Sequence, residues 1–197
     1  MNVSRETEGR LRDYASLVRK WNPSINLVAP ATLADFEQRH IADSAQLFDL
    51  AQPKSGSWMD LGSGGGLPGV VLSILTQNSP LTITLVESDK RKSAFLNTVR
   101  RALDLSNLII KPQRIESLAR GEHQFLSARA LAPLDQLLLH LDRQLASDGV
   151  AWLLKGRSWR AEVDAARKQW RFDLESHQSQ TDPEAAILKL WKIEQDD

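Results

Sequence analysis

The stretch Trp58 to Gly69, WMDLGSGGGLPG, constrains this chain more than any other. An apolar run ends in Asp60, five glycines follow between Gly62 and Gly69, and Pro68 opens the helix-like segment VVLSILTQ. The pattern predicts a strand, a tight turn and a helix start. Glycine lacks a Cβ, so its backbone turns through positive φ and can lie directly against a ligand. Proline suits a first helical turn, where its missing N–H has no partner to lose. A glycine-rich surface turn is the plain alternative, but five glycines cost more entropy than an ordinary strand-to-helix connection requires. A nucleotide-like ligand follows.

Charge narrows the ligand. Gly64, Gly66 and Gly69 satisfy G-x-G-x-x-G, the dinucleotide fingerprint, which alone is a weak signal. A dinucleotide places an anionic pyrophosphate at the helix N-terminus, and Asp60, just ahead of the glycines, would repel it. The spacing Asp60, Gly62, Gly64, Gly66 instead resembles D-x-G-x-G-x-G, the first motif of class I S-adenosylmethionine-dependent methyltransferases. That cofactor carries a sulfonium and an ammonium and no phosphate. An acid near those cations is attractive, the more so in a cleft than in water.

A chain of 197 residues suggests a single domain, with N-terminal helices over 1–50 and a core over 56–197. With 42% hydrophobic and 25% charged residues and no net charge, the composition is that of an ordinary globular protein. The absence of cysteine rules out disulfides, thiolate metal sites and a cysteine nucleophile, and fits a reducing compartment. The segment MNVSRETEGR lacks the apolar core of a signal peptide, and no apolar run approaches the ~20 residues that span a bilayer. A soluble cytoplasmic protein without a membrane partner is expected. Neutral charge does not favour a nonspecific nucleic-acid binder. Cations still gather at Arg10 to Lys20, Lys90 to Arg101 and Lys155 to Arg160, although charge alone reads more simply as solvated helix surfaces.

The N-terminal segment from Ser4 to about Lys20 has a helical apolar spacing in Leu11, Tyr14, Ala15 and Val18, with Pro23 as its stop. WNPSINLVAP reads as a connector, either packing or a binding lip. A second helix is expected from Leu33 to Leu50, with Phe36, His40, Leu47 and Phe48 toward one side and a polar cluster of Arg39, His40, Asp43 and Ser44. Nothing there supplies a triad or metal spacing, so no metal is expected. From Trp58, strands read at 58–61, 81–87, 107–112, 124–129 and 149–155, and helices at 68–77, 89–104, 133–146 and 159–170. This alternation predicts an α/β fold with a mostly parallel sheet covered on both faces. Extended segments at 172–178 and 186–193, joined by Thr181-Asp182-Pro183, would add an edge hairpin and complete a seven-stranded, Rossmann-like methyltransferase sheet.

Ligands of open α/β sheets lie beyond the carboxyl ends of the strands. Glu87 ends the second strand about 20 residues after the glycines, where a ribose-hydroxyl acceptor is expected, the alternative being a solvated acid paired with Lys90 or Arg91. After the third strand, Ile115 and Glu116 offer an apolar contact and an acceptor suited to adenine, though R-I-E-S reads equally as a helix cap. Arg129 ends the fourth strand, where a half-buried guanidinium wants an anionic partner. Lys155 ends the fifth, and either cation can be structural.

The segments WNPSINLV, RHIADS, DLGSGGGLPG, LVESDKRKSAFL, RIESL, SARALAPL and LKG, in this order, resemble the bacterial small-subunit rRNA guanine-N7 methyltransferases, the glucose-inhibited division protein B family. RHIADS and SARALAPL are not general methyltransferase motifs; the resemblance fades beyond about Trp159. It implies S-adenosylmethionine as cofactor, contacts at Gly62, Leu67, Ile115, Glu116 and Arg129, and a guanine of 16S rRNA in the small ribosomal subunit or its assembly intermediate as substrate. Glu87 matches the family's ribose acid, and Asp60 falls in the glycine motif. A monomer is expected. The family's surface is more positive than this neutral chain suggests.

The implied chemistry agrees with the residue content. Guanine N7 has an in-plane lone pair and no proton, so no general base is needed. Carbon-5 pyrimidine methylation usually needs a cysteine, and exocyclic-amine methylation commonly uses an N-P-P-Y-type loop where this chain reads Arg129-Ala130-Leu131-Ala132-Pro133. The target is expected in a loop or splayed from its stack, because A-form RNA hides N7 in a narrow groove. Arg39, His40 and Lys155 are candidates for RNA phosphates, and Trp21 for stacking. A methyltransferase acting on another RNA, a protein or a small molecule is the first alternative; a non-enzymatic nucleotide-binding module or an oxidoreductase is the second.

Overall fold

The computed structural model describes residues 3–196. Its strands are β1 Gly56–Leu61, β2 Leu81–Val86, β3 Leu108–Lys111, β4 His123–Arg129, β5 Leu145–Lys155, β6 Trp170–Gln178 and β7 Ala186–Gln195. They form one seven-stranded sheet in the order β3-β2-β1-β4-β5-β7-β6. β1 to β5 are parallel, and β7 runs antiparallel between β5 and β6. Chain order reverses at the β1–β4 pair, the place where open α/β sheets bind ligands.

Strand periodicity sorts the core. Trp58 of β1 and Trp152 and Leu154 of β5 join one apolar cluster, while Met59, Leu61, Ala151 and Leu153 join the other. Successive side chains on a strand point to opposite faces, so β1 and β5 each feed both clusters. The first is covered by α1 Arg5–Ile25, α2 Ala42–Ala51, α3 Gly69–Leu75 and α4 Lys90–Ala102, and the second by α5 Leu134–Gln144 and α6 Trp159–Ala166. The β3–β4 crossover carries only a short 3₁₀ turn, Ile115–Ser117.

Several boundaries differ from the sequence expectation. α1 does not stop at Pro23 but runs on to Ile25. Proline there removes one donor near the end of a helix already anchored by buried Leu11, Tyr14, Ala15 and Val18. The stop is Asn26, with φ 48°, and Asn22 Oδ1 accepts from the Leu27 and Val28 amides at 2.8 and 2.9 Å. The single helix expected over 33–50 is instead a π-helical turn, Glu37–Ile41, leading into α2. That wider turn buries both His40 and Ile41, neighbours that an α-helix would set about 100° apart. α5 ends at Gln144, whose side chain bonds Ala119 O, and β5 already begins at Leu145 opposite His123. α6 ends at Ala166, because Trp170 is buried at the start of β6.

Candidate functional site

A cavity of about 610 Å³ opens beyond the carboxyl ends of β1, β2 and β4. Its floor is the glycine turn, with Gly62, Gly64 and Gly66 all at positive φ. A Cβ on Gly62 would stand 2.5 Å from Leu131 Cδ1 across the cavity, and one on Gly69 would stand 2.2 Å from Leu85 Cδ2. Gly62 therefore keeps the cavity open, and Gly69 lets α3 lie against β2. Tyr14 of α1, fully buried, donates to Gly65 O at 2.7 Å. Burial raises its phenol well above the ordinary tyrosine range, so the hydroxyl stays a donor.

Glu87 lines the cavity, with Oε2 accepting from the Gly64 amide at 2.8 Å and Oε1 from the Asp89 amide at 2.7 Å. It thus fixes the glycine turn to the end of β2, in place of the ion pair with Lys90 or Arg91. Leu67, Ile115 and Glu116 also line the cavity, the last two on the 3₁₀ turn. Asp60 does not. It is fully buried, its Oδ1 accepts from Ser127 Oγ at 2.7 Å, and among the described residues its Oδ2 has no hydrogen-bond partner. Burial raises its pKa to about 6, against the pull of the Ser127 and Ser63 hydroxyls, the Gly69 amide and the Arg129 charge.

Arg129 is held from two sides. One Nη2 contact reaches His40 Nδ1 at 2.5 Å and another reaches Asp43 at 3.8 Å, while Nη1 is buried and, among the described residues, has no partner. Since a guanidinium only donates, His40 Nδ1 must be the acceptor, and Nε2–H then donates to Thr32 Oγ1 at 2.8 Å, whose hydroxyl donates to Ala29 O at 2.9 Å. Burial, then the charges of Arg129 and Arg39, depress the His40 pKa to about 4, so the imidazole is neutral. A directed chain of hydrogen bonds runs from β4 to the connector after α1. Ala130, at φ 48°, then turns the chain so that Leu131 also lines the cavity.

A second cavity, of about 430 Å³, adjoins the first and shares Arg129, Ala130 and Leu131 with it. Here the proposed phosphate contacts part company. Arg39 is exposed and lines this cavity. His40 faces inward as described. The Lys155 side chain is 8% exposed and donates to Glu162 Oε2 and Ala132 O, each at 2.7 Å, so its charge is already neutralised. Trp21 is half-buried and packs against Phe95, with ring centroids 5.7 Å apart.

Tyr14, Thr32 and Asp43 escaped the sequence reading as site residues. Asp43 lies within the polar cluster of the second helix, and Tyr14 reads in the sequence only as part of an apolar helix face. Among the described residues, no helix is long and apolar enough to cross a membrane.

A protein of Paracoccus denitrificans named ribosomal RNA small subunit methyltransferase G is 54% identical over 190 residues, covering 96% of this chain and 97% of its own. A relative of the same name from a Ruegeria species is 49% identical, covering 98% and 95%. Among solved structures, a TehB-like SAM-dependent methyltransferase from Corynebacterium glutamicum matches with a TM-score of 0.60 at 16% identity, covering 94% and 99%. A putative S-adenosyl-L-methionine-dependent methyltransferase from Methanococcus maripaludis matches at 0.63 and 11% identity, covering 100% and 98%. These last two likenesses show the fold. The family described as rRNA small subunit methyltransferase G matches residues 7–187, and the chain belongs to that family.

Proposed function

We propose that the protein transfers a methyl group from S-adenosylmethionine to N7 of one guanine of 16S rRNA. The observation that carries this is a relative named ribosomal RNA small subunit methyltransferase G, 54% identical over nearly the whole chain, joined to a cavity whose lining suits the cofactor part for part. Arg129 Nη1, buried and unpartnered, suits the amino-acid carboxylate. Glu87 has lone pairs left for the ribose hydroxyls after its two amide bonds. Ile115 and Glu116 suit adenine, and the backbone at Gly62 and Leu67 lies against the ligand. Asp60 contributes negative charge from beneath the turn, opposite in sign to the sulfonium and ammonium.

When bound, the cofactor supplies a methyl group on a cationic sulfur. The protein's part is to hold N7 in line with it, an orientation effect worth about 7 to 11 kcal/mol in favourable cases. His40 offers no base, since Nδ1 is engaged by Arg129, and N7 requires none. Arg39, exposed beside the second cavity, meets RNA phosphate, whereas His40 and Lys155 position neighbouring groups. In this account the enzyme is a cytoplasmic monomer of one domain, with helices in 1–50 roofing a core in 56–197, acting on the small subunit or its assembly intermediate.

The test is transfer from labelled S-adenosylmethionine to small subunits lacking the modification, followed by borohydride and aniline cleavage, which breaks RNA at 7-methylguanosine. Cleavage at one guanine is expected. Label on protein, on a small molecule or at another RNA atom would refute the assignment.

A further inference from the structure

The second cavity lies between two walls. On the β4 side stands the shared segment Arg129–Leu131, and on the other stands the β6–β7 turn, with the end of β5 between them. Six charged side chains line it, and four neutralise one another. Lys155 pairs with Glu162 at 2.7 Å, and Arg129 pairs with Asp43 at 3.8 Å. Asp43 Oδ1 also accepts from the hydroxyls of Ser179 at 3.1 Å and Thr181 at 2.5 Å, which fastens the β6–β7 turn to α2. Arg39 and Asp182 remain. Among the described residues Arg39 makes no side-chain hydrogen bond or ion pair, and Asp182 makes only a 2.9 Å bond from the Glu184 amide to Oδ1.

One free cation and one free acid among the residues lining a nucleoside-sized cavity suit a single kind of guest. The cation takes a phosphate. The acid, which only accepts, takes an edge made of adjacent N–H donors. Guanine presents such an edge in N1–H and N2–H, whereas adenine and cytosine place a ring acceptor there and would be repelled. The N2 amine and N7 stand at opposite ends of the purine. A guanine held by its N1/N2 edge at the β6–β7 wall therefore turns N7 toward Arg129–Leu131, the wall shared with the first cavity.

We infer that the second cavity receives the target guanosine, flipped out of its stack, with Asp182 reading its N1/N2 edge and Arg39 holding its phosphate. This rests on the methyltransferase function proposed above. Asp182 is the specificity-determining residue, and the β6–β7 turn is the element that selects the base.

Small subunits reconstituted with inosine at the target position lack the N2 amine alone. The wild type should lose ~10- to 100-fold in kcat/KM on them, the discrimination expected of a paired donor–acceptor contact. Asp182→Asn and Asp182→Ala should lose a similar factor on guanosine subunits and distinguish inosine little further, while calorimetry shows unchanged S-adenosylmethionine affinity. Arg39→Gln should raise KM and leave kcat in place. If the Asp182 variants keep the wild-type preference for guanosine over inosine, the pocket assignment is overturned while the methylation itself stands. If the wild type transfers no methyl to RNA, the function proposed above fails, and this assignment with it.

Discussion

Replacing Asp60 with asparagine separates what the buried acid does for ligand binding from what it does to stability. A carboxyl whose pKa rises from 3.8 to about 6 on folding binds its proton more tightly in the folded state. Stability from this group is therefore greatest below pH 3.8, falls as pH rises toward 6, and is flat above. At ~1.36 kcal/mol per pH unit, the ionised acid costs the fold about 3 kcal/mol at pH 7. Asparagine keeps an oxygen for Ser127 and carries no charge. Any fixed effect of its amide is the same at every pH, so the difference between variant and wild type must shift by about 2 kcal/mol in the variant's favour between pH 4 and pH 7. Urea unfolding of both proteins across that range measures it. A difference that does not change with pH would refute the buried, raised carboxyl. Calorimetry should show the more stable variant binding S-adenosylmethionine far more weakly.

Tyr14→Phe strips the buried carbonyl of Gly65 of its donor, and urea unfolding should show a loss of about 1 to 3 kcal/mol; no loss would mean the turn finds another partner. Glu87→Gln leaves one oxygen for two amides, so cofactor affinity should fall ~10- to 100-fold by calorimetry, the energy of a charge-assisted bond. Lys155→Ala should cost about 1 to 2 kcal/mol in unfolding, because Glu162 loses its partner. Salt titration of RNA binding should keep its slope in Lys155→Ala and drop by about one in Arg39→Ala; the opposite result would exchange their roles.

The glycine turn was legible in the sequence because its meaning is local. The spacing of Asp60, Gly62, Gly64 and Gly66 sets a backbone path by the allowed φ of each residue, and three of these glycines do take positive φ. The strand and helix order was legible for the same reason, since periods of two and 3.6 are properties of a single segment. Glu87 and Arg129 followed from a rule about strand ends. What the tertiary structure decided is which side chain answers which. Lys155 and Arg39 look alike as cations in sequence, yet one meets Glu162 seven residues on and the other pairs with no anion among the described residues. His40 faces Arg129 across 89 positions, Tyr14 reaches Gly65 across 51, and Asp43 grips Thr181 across 138. Such pairings depend on how helices dock on a sheet, which is set by the packing of whole faces and leaves no periodic mark on either partner.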